Sequence, residues 1–269
     1  MSDDTATAFA AAGGGIRDAE VPPDDGAVRL VLVRHGRTPS NVRHALDTGV
    51  PGPSLDELGH EQAAEVGRLF VGWPVRAVYA SLATRARETA APIGAALGVD
   101  VQLLQGAHEI FVGDLDNRAD DDARAQFDEV FAAWWDGDVD RPMPGGESAR
   151  DVWNRFLPDL DAVLGGVDSG AVVVVSHGAA IRLATFALLG ARQGAVPGID
   201  PDAVSRALPG AVPESLPDVG PGAVPGSVPA TFGRDRPVPN TGRVVLRRDP
   251  GGWVVELWDP MPGGRTGSH

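Results

Sequence analysis

The sequence predicts an α/β layered fold, and three observations carry that expectation. Short, Val-rich apolar runs stand at Val28–Val33, Val75–Ser81 and Ala171–Ser176. Segments with apolar residues at helical spacing separate them. The run Ala171-Val172-Val173-Val174-Val175-Ser176 is apolar on both faces, the pattern of a central, parallel strand covered from each side. Strands alternating with helices build layers around a sheet.

In chain order, residues 1–27 mix Ala, Gly, Asp and Pro without periodicity and read as a disordered leader. The first strand is Val28–Val33. Asp56 to Phe70 places Leu58, Ala63, Val66, Leu69 and Phe70 on one helical face, and Val75–Ser81 is the second strand. Arg85 to Leu97 is a helix closed by Gly98, because glycine takes the left-handed turn past a helix end at little cost. A third strand is expected over Val99–Leu104. Residues 119–136 form an acidic helix ending in Phe131 and Trp134-Trp135, the tryptophans being either core or part of an apolar substrate wall. Pro142-Met143-Pro144-Gly145-Gly146 is a loop, after which Glu147 or Ser148 opens a helix to Leu164. Arg243 to Asp259 alternates around Asp249-Pro250-Gly251-Gly252, as a β-hairpin does. Within 191–236, Pro209, Pro213, Pro217, Pro221, Pro225 and Pro229 recur every fourth residue. Proline at that density forbids helix interiors and central strands. The stretch therefore reads as a flexible insertion, whether an uncommitted surface loop, a partner-binding arm or a mobile flap.

The chain has 269 residues and a formal charge of −14, from 23 Lys and Arg against 37 Asp and Glu. An acidic balance of this size disfavours phosphate backbones, so nucleic acid is not an expected partner. Cysteine is absent, which excludes disulfides, thiolate metal sites and a Cys nucleophile. No apolar run is long enough to cross a bilayer, and the start, Met1-Ser2-Asp3-Asp4, lacks the basic region of a signal peptide. A cytoplasmic protein without membrane partners is expected; oligomeric state is not legible.

Two segments share one pattern. Leu32-Val33-Arg34-His35-Gly36 puts a histidine just past the first strand, and Val175-Ser176-His177-Gly178 puts one just past the strongest strand. Ligand crevices of open α/β sheets form beyond the carboxyl ends of strands, so the two imidazoles are expected to face one site. Glycine after each lets the backbone approach a ligand. Arg34 adds a fork of donors suited to an anion.

The run Leu32-Val33-Arg34-His35-Gly36-Arg37-Thr38-Pro39-Ser40-Asn41 resembles the RHG signature of the histidine phosphatase superfamily, in the branch that holds the cofactor-dependent phosphoglycerate mutases. Further segments resemble that branch in its own order: Leu55–Ala63, Ser81–Ala90, His108–Leu115, Pro144–Ser148 and Ser176-His177-Gly178. Pro239-Asn240-Thr241-Gly242 and the closing hairpin are similar to its last strands. The resemblance implies a three-layer α/β/α sandwich, phosphoglycerate mutase-like, with a mostly parallel sheet. The domain would run over 28–262, with 105–150 a partly helical cap and 263–269 a disordered tail.

The resemblance also implies roles. His35 would attack phosphorus and form a phosphohistidine. Arg34 and Arg85 would clamp the phosphoryl oxygens, and His177 would donate a hydrogen bond to them. Thr38, Asn41 and Gly178 would add substrate contacts. Glu109 would protonate the leaving oxygen and then deprotonate water. No metal or other cofactor is implied, since arginine and histidine supply the positive charge. Arg87 rivals Arg85, and Glu147 rivals or assists Glu109. Arg37 stands where Glu or Gln often follows RHG, and would either extend the phosphate pocket or grip a second anion.

Family mutases carry Arg and Tyr after the acidic residue, whereas Glu109 is followed by Ile110-Phe111-Val112. The expected activity is therefore a metal-independent phosphomonoesterase on a small phosphorylated metabolite, its body against an apolar wall. Phosphoglycerate mutase chemistry and a non-catalytic phospho-ligand scaffold are the alternatives.

Overall fold

The strand β4 (Gly170–Ser176) is buried along its whole length, which only the middle of a covered sheet allows. The computed structural model describes residues 21–22, 25–190 and 237–259. The expected leader lies almost wholly outside them, as do the insertion over 191–236 and the tail over 263–269. Beside β4 runs β1 (Val28–Arg34), in parallel, with Val28 opposite Gly170 and Arg34 opposite Ser176. The other strands are β2 (Val75–Ser81), β3 (Val101–Leu104), β5 (Arg243–Asp249) and β6 (Gly252–Asp259). They make one six-stranded sheet in the order β3-β2-β4-β1-β5-β6. The first four are parallel, and β5 and β6 form the antiparallel hairpin expected from the sequence.

Side chains alternate across the strands and so feed two cores. Val31, Val33, Val173 and Val175 pack with Val66, Ala86, Ala90 and Ile93, which belong to α2 (Glu57–Leu69) and α3 (Thr84–Leu97). On the other face Leu30, Leu32, Val172 and Val174 pack with Phe156, Leu160, Ile181 and Leu188, from α5 (Ala149–Leu164) and α6 (Gly178–Gly190). Helices on both faces make the three-layer α/β/α sandwich. Each start has a local cause: Asp56 Oδ1 accepts the Gly59 N–H at the head of α2, and Ser148 rather than Glu147 caps α5. Gly98 closes α3 at φ 68°, and β3 begins two residues later than the sequence suggests.

Residues 105–150 hold α4 (Asp121–Trp135) and two short 3-10 turns. Ile110, Val112, Leu115, Phe131, Trp134 and Met143 pack there with Val152, Trp153 and Leu183. Trp134 is core, its indole N–H donating to the Arg141 carbonyl at 2.7 Å. After β1 the chain turns to the α2 layer, whereas after β4 it enters α6 in the opposite layer. Adjacent strands whose connections leave to opposite faces open a crevice at their carboxyl ends. Among the described residues no helix is long and apolar enough to cross a membrane, and no three His, Cys, Asp or Glu group to hold a metal.

The loop after β1 is pressed onto α2. A Cβ on Gly59 would lie 2.1 Å from the Arg37 carbonyl oxygen, a backbone atom that cannot step aside. Gly59→Ala is expected to lower stability in urea by about 1–3 kcal/mol. Gly49→Ala, at a position with no neighbour in reach of a Cβ, should change it by less than about 0.5 kcal/mol. Equal effects would show that this contact does not constrain the loop.

Candidate active site

Because Arg34 and Ser176 are opposite one another, the residues that follow them are neighbours across the β1–β4 pair. The His35 N–H donates to the Ser176 carbonyl at 3.0 Å, continuing the ladder one residue past the strands. The rings of His35 and His177 stand with centroids 5.1 Å apart and planes inclined at 59°, close to the spacing of paired strands. Both imidazoles are buried.

Their protons can be placed from their partners. His35 Nδ1 lies 2.7 Å from the Gly36 carbonyl oxygen. A carbonyl only accepts, so Nδ1 carries the hydrogen and Nε2 keeps its lone pair. His177 Nε2 lies 2.8 Å from Ser81 Oγ, which also accepts the Ala83 N–H at 3.3 Å. The Ser81 hydroxyl can donate to Nε2 or accept from it; when it donates, the hydrogen of His177 sits on Nδ1, an atom that is buried without a partner. Burial first, and then the charges of Arg85 and Arg34, hold His35 well below its ordinary value of 6.5. His177 is depressed for the same leading reasons, with His35 and His108 adding to them.

Arg34 donates from Nη1 to the Val238 carbonyl at 2.7 Å, while its Nε is buried and unpartnered. A Cβ on Gly178 would come within 3.4 Å of that Nε. Arg85, in the first turn of α3, donates from Nη2 to the Asp47 carbonyl at 3.2 Å. Its Nη1 stands 4.0 Å from Asp47 Oδ1 and has no hydrogen bond. Arg87 is exposed, so α3 turns Arg85 inward and its rival outward. Burial pushes both inward guanidinium groups below their ordinary range, and Glu109 opposes that shift in each.

Glu109 sits at the start of α6. Its Oε1 accepts the N–H groups of Ala180 at 2.9 Å and Ile110 at 3.0 Å, and Oε2 accepts that of Ala179 at 3.3 Å. These bonds hold the carboxyl group against the otherwise unpaired N–H groups at the head of α6. Arg34, His35, Asn41, Glu109 and Gly178 line a cavity of about 480 Å³. His177 and Arg85 are buried behind that lining. Asn41 Oδ1 accepts the Thr38 N–H and the Asn240 side-chain amide, each at 3.1 Å, which leaves its own amide protons as the group for a ligand.

Other candidate residues have partners within the protein. The Thr38 hydroxyl accepts the Asn41 N–H and caps the short helix α1 (Pro39–Val42); it is not among the cavity-lining residues. Arg37 pairs through Nε with Asp56 at 2.8 Å and is not among the cavity-lining residues. Glu147 pairs with Arg155 at 2.8 Å and accepts the Phe111 N–H, so it fixes the cap rather than facing the cavity. Ile110 and Val112 supply apolar wall, but Phe111 points to solvent and lines nothing. Sequence reasoning missed Ser81, Asp47 and the wall formed by Val238 and Asn240. Ser81 is the one with a signal: it ends β2, and β2 is the other neighbour of β4.

A model of the histidine phosphatase superfamily (branch 1) matches residues 30–207. A 2,3-bisphosphoglycerate-dependent phosphoglycerate mutase from Chelativorans sp. is 37% identical over 172 residues, covering 60% of this chain and 81% of that protein. A mycobacterial glucosyl-3-phosphoglycerate phosphatase structure aligns with a TM-score of 0.61 at 25% identity, over 87% of this chain and 100% of that one. A phosphoserine phosphatase from Entamoeba histolytica aligns with a TM-score of 0.63 at 20% identity, over 87% and 98% of the two chains; at that identity it supports the fold alone. The family match begins within β1 and takes in α6, and so spans every strand-end residue gathered here up to Gly178: the protein is a member of the histidine phosphatase superfamily, branch 1.

Proposed function

We propose that the protein is a metal-independent phosphomonoesterase that acts through a phosphohistidine on a small phosphorylated metabolite. One observation carries the reading. Arg34 Nε, Arg85 Nη1 and His177 Nδ1 are all buried without hydrogen-bond partners, and their side chains act on one another electrostatically around His35. An unpaired buried donor costs stability, about 1–3 kcal/mol and more when charged. Three around one nucleophilic nitrogen make sense together as the cradle of a tetrahedral anion, whose oxygens would satisfy them.

The chemistry follows from that placement. Neutral His35 attacks phosphorus through Nε2, and the bond from phosphorus to the ester oxygen breaks. Glu109 gives its proton to that leaving oxygen. It then takes one from water, whose oxygen attacks phosphorus as the bond to Nε2 breaks, releasing inorganic phosphate and restoring His35. Arg34, Arg85 and His177 hold the phosphoryl oxygens through both steps, the arginines supplying the positive charge that a metal supplies in other phosphatases.

Hydrolysis is favoured over the mutase reaction of the Chelativorans relative on two grounds. Ile110 and Val112 give the segment after Glu109 an apolar face on the cavity, and a cavity near 480 Å³ has room for a body larger than a three-carbon acid. The glucosyl-3-phosphoglycerate phosphatase among the structural relatives points the same way.

His35→Ala is expected to lower p-nitrophenyl phosphate hydrolysis by about 10³-fold or more, and to abolish an acid-labile phosphoprotein that the wild type accumulates on rapid quench. Residual cleavage at the wild-type rate, or abundant 2-phosphoglycerate formed from 3-phosphoglycerate and 2,3-bisphosphoglycerate, would overturn the reading. Glu109→Gln should cost about 10²–10⁴-fold on alkyl phosphates, whose leaving oxygen needs a proton. The loss on p-nitrophenyl phosphate, which departs as a stable anion, should be much smaller; equal losses would remove Glu109 from proton transfer.

The histidines also set a pH dependence of stability. Both are depressed in the folded protein, so between their folded values and about 6.5 the unfolded chain binds more protons. Stability is then complete above that window and falls with acidification through it, by up to about 1.4 kcal/mol per pH unit for each imidazole. Urea midpoints in phosphate-free buffer should fall from pH 7.5 to 5.5, and fall less in His177→Asn. A flat wild-type profile would mean the imidazoles are not held neutral.

A further inference from the structure

Glu109 stands on backbone that belongs to no helix or strand. It lies between two 3-10 turns, Gln105–Ala107 and Gly113–Leu115, so no ladder accounts for the polar groups around it. Buried carbonyls need donors, and here side chains supply them. The Ser176 hydroxyl donates to the Ala107 carbonyl at 2.7 Å. Arg155, in the middle of α5, serves three more. Its Nη1 donates to the carbonyls of Gly106 and His108, the latter at 2.9 Å, and its Nη2 to that of Glu109 at 3.1 Å. Glu147 holds the guanidinium in turn, accepting from Nε at 2.8 Å and from Nη2 at 2.9 Å.

Glu147 also reaches the chain on the far side of Ile110. Its Oε2 accepts the Phe111 N–H at 2.9 Å, and its own backbone N–H donates to the Phe111 carbonyl at 2.8 Å. The pair thus grips the backbone at Glu109 and again two residues later, while the Glu109 side chain lines the cavity. The fit is close. A Cβ on Gly106 would lie 2.1 Å from the Arg155 carbonyl oxygen, and one on Gly146 would lie 2.2 Å from that of Phe111. Arg155 and Glu147 are both mostly buried, and neither lines the cavity.

We infer that Arg155, braced by Glu147, is a positioning residue that sets the Glu109 backbone so that its carboxyl group reaches the leaving oxygen. On the phosphatase reading, on which this role rests, Glu109 gives its proton to that oxygen. An arginine suits the place because its planar fork serves several acceptors in fixed directions at once. A lysine ammonium keeps the charge against Glu147 but offers its donors from a single point. Misplacing a reacting group by about 1 Å costs on the order of 10²-fold in rate, although the group itself is intact.

Two esters of like shape, p-nitrophenyl phosphate and phenyl phosphate, separate positioning from a merely structural role. The first departs as a stable anion, whereas the leaving oxygen of the second needs a proton. Arg155→Lys is expected to lower kcat on phenyl phosphate by about ten- to a hundredfold, and on p-nitrophenyl phosphate by less than about threefold, with KM little changed on either. In a Glu109→Gln background, which lacks the proton donor, the same substitution should cost phenyl phosphate turnover almost nothing further. Glu147→Gln keeps an acceptor for the Phe111 N–H but gives up the ion pair, and should show the same selective loss more weakly. Arg141→Gln, which breaks an exposed ion pair with Glu129 elsewhere in the cap, should leave the ratio of the two rates unchanged. Circular dichroism and the p-nitrophenyl phosphate rate report whether each variant is folded. Equal losses on the two esters in folded Arg155→Lys and Glu147→Gln, or a full further loss in the Glu109→Gln background, overturn the positioning role alone. Loss of the native spectrum in both variants does so too, since the pair would then be a requirement of the fold. Absence of His35-dependent hydrolysis of either ester by the wild type removes the phosphatase reading itself, and the positioning role with it.

Discussion

The parallel pairing of β1 with β4, in the register that sets Arg34 opposite Ser176, is the constraint on which the site depends. A strand pair fixes its neighbours to within a hydrogen-bond repeat, and a slip of one residue would turn each side chain to the other face. Burial on both faces makes that slip prohibitive, because it would exchange Val31 and Val33 for Leu30 and Leu32 between two differently shaped cores. The apolar strands therefore act at a distance on chemistry. They bring imidazoles more than a hundred residues apart in sequence to a ring separation of 5.1 Å, with Ser81 from the next strand buttressing the second.

The electrostatics of the cluster run against stability. Two neutral imidazoles and two guanidinium groups share a region from which water is largely removed, and several of their donors have no protein partner. Structures tolerate such arrangements where a ligand completes them. Glu109 and Asp47 temper the repulsion without closing the cradle, each bound mainly elsewhere. If an anion bound there it would satisfy the same donors, and on the proposed reading binding and folding would be coupled through them.

Much of this was legible in the chain itself. Short Val runs and glycine-closed helices announced the sheet, since strand and helix periods are local properties of sequence. His35, His177, Arg34, Arg85, Asn41, Gly178 and Glu109 meet because each lies at or beside an element end, and element ends can be read. Which way a side chain faces was less legible. Thr38 and Asn41 are three residues apart on one short turn, yet the first spends its oxygen on a helix cap and only the second lines the cavity. Glu147 and Arg37 found partners, Arg155 and Asp56, that a linear reading does not bring near them. Arg155 carried no motif at all and meets the Glu109 backbone only through the packing of α5 against it.

The carbonyl of Val238 that anchors Arg34 lies 204 residues further along the chain. Asn240, close behind it, donates to the His35 carbonyl at 3.0 Å. At ordinary translation speeds roughly 10–40 s separate the synthesis of the two sides of this contact. On the ribosome the sandwich can gather its first four strands while one wall of the cavity is still unmade. The nascent chain would thus carry His35 for some time before the wall at Val238 and Asn240 is in place, and docking of the β5–β6 hairpin on β1 is the step that completes the cavity.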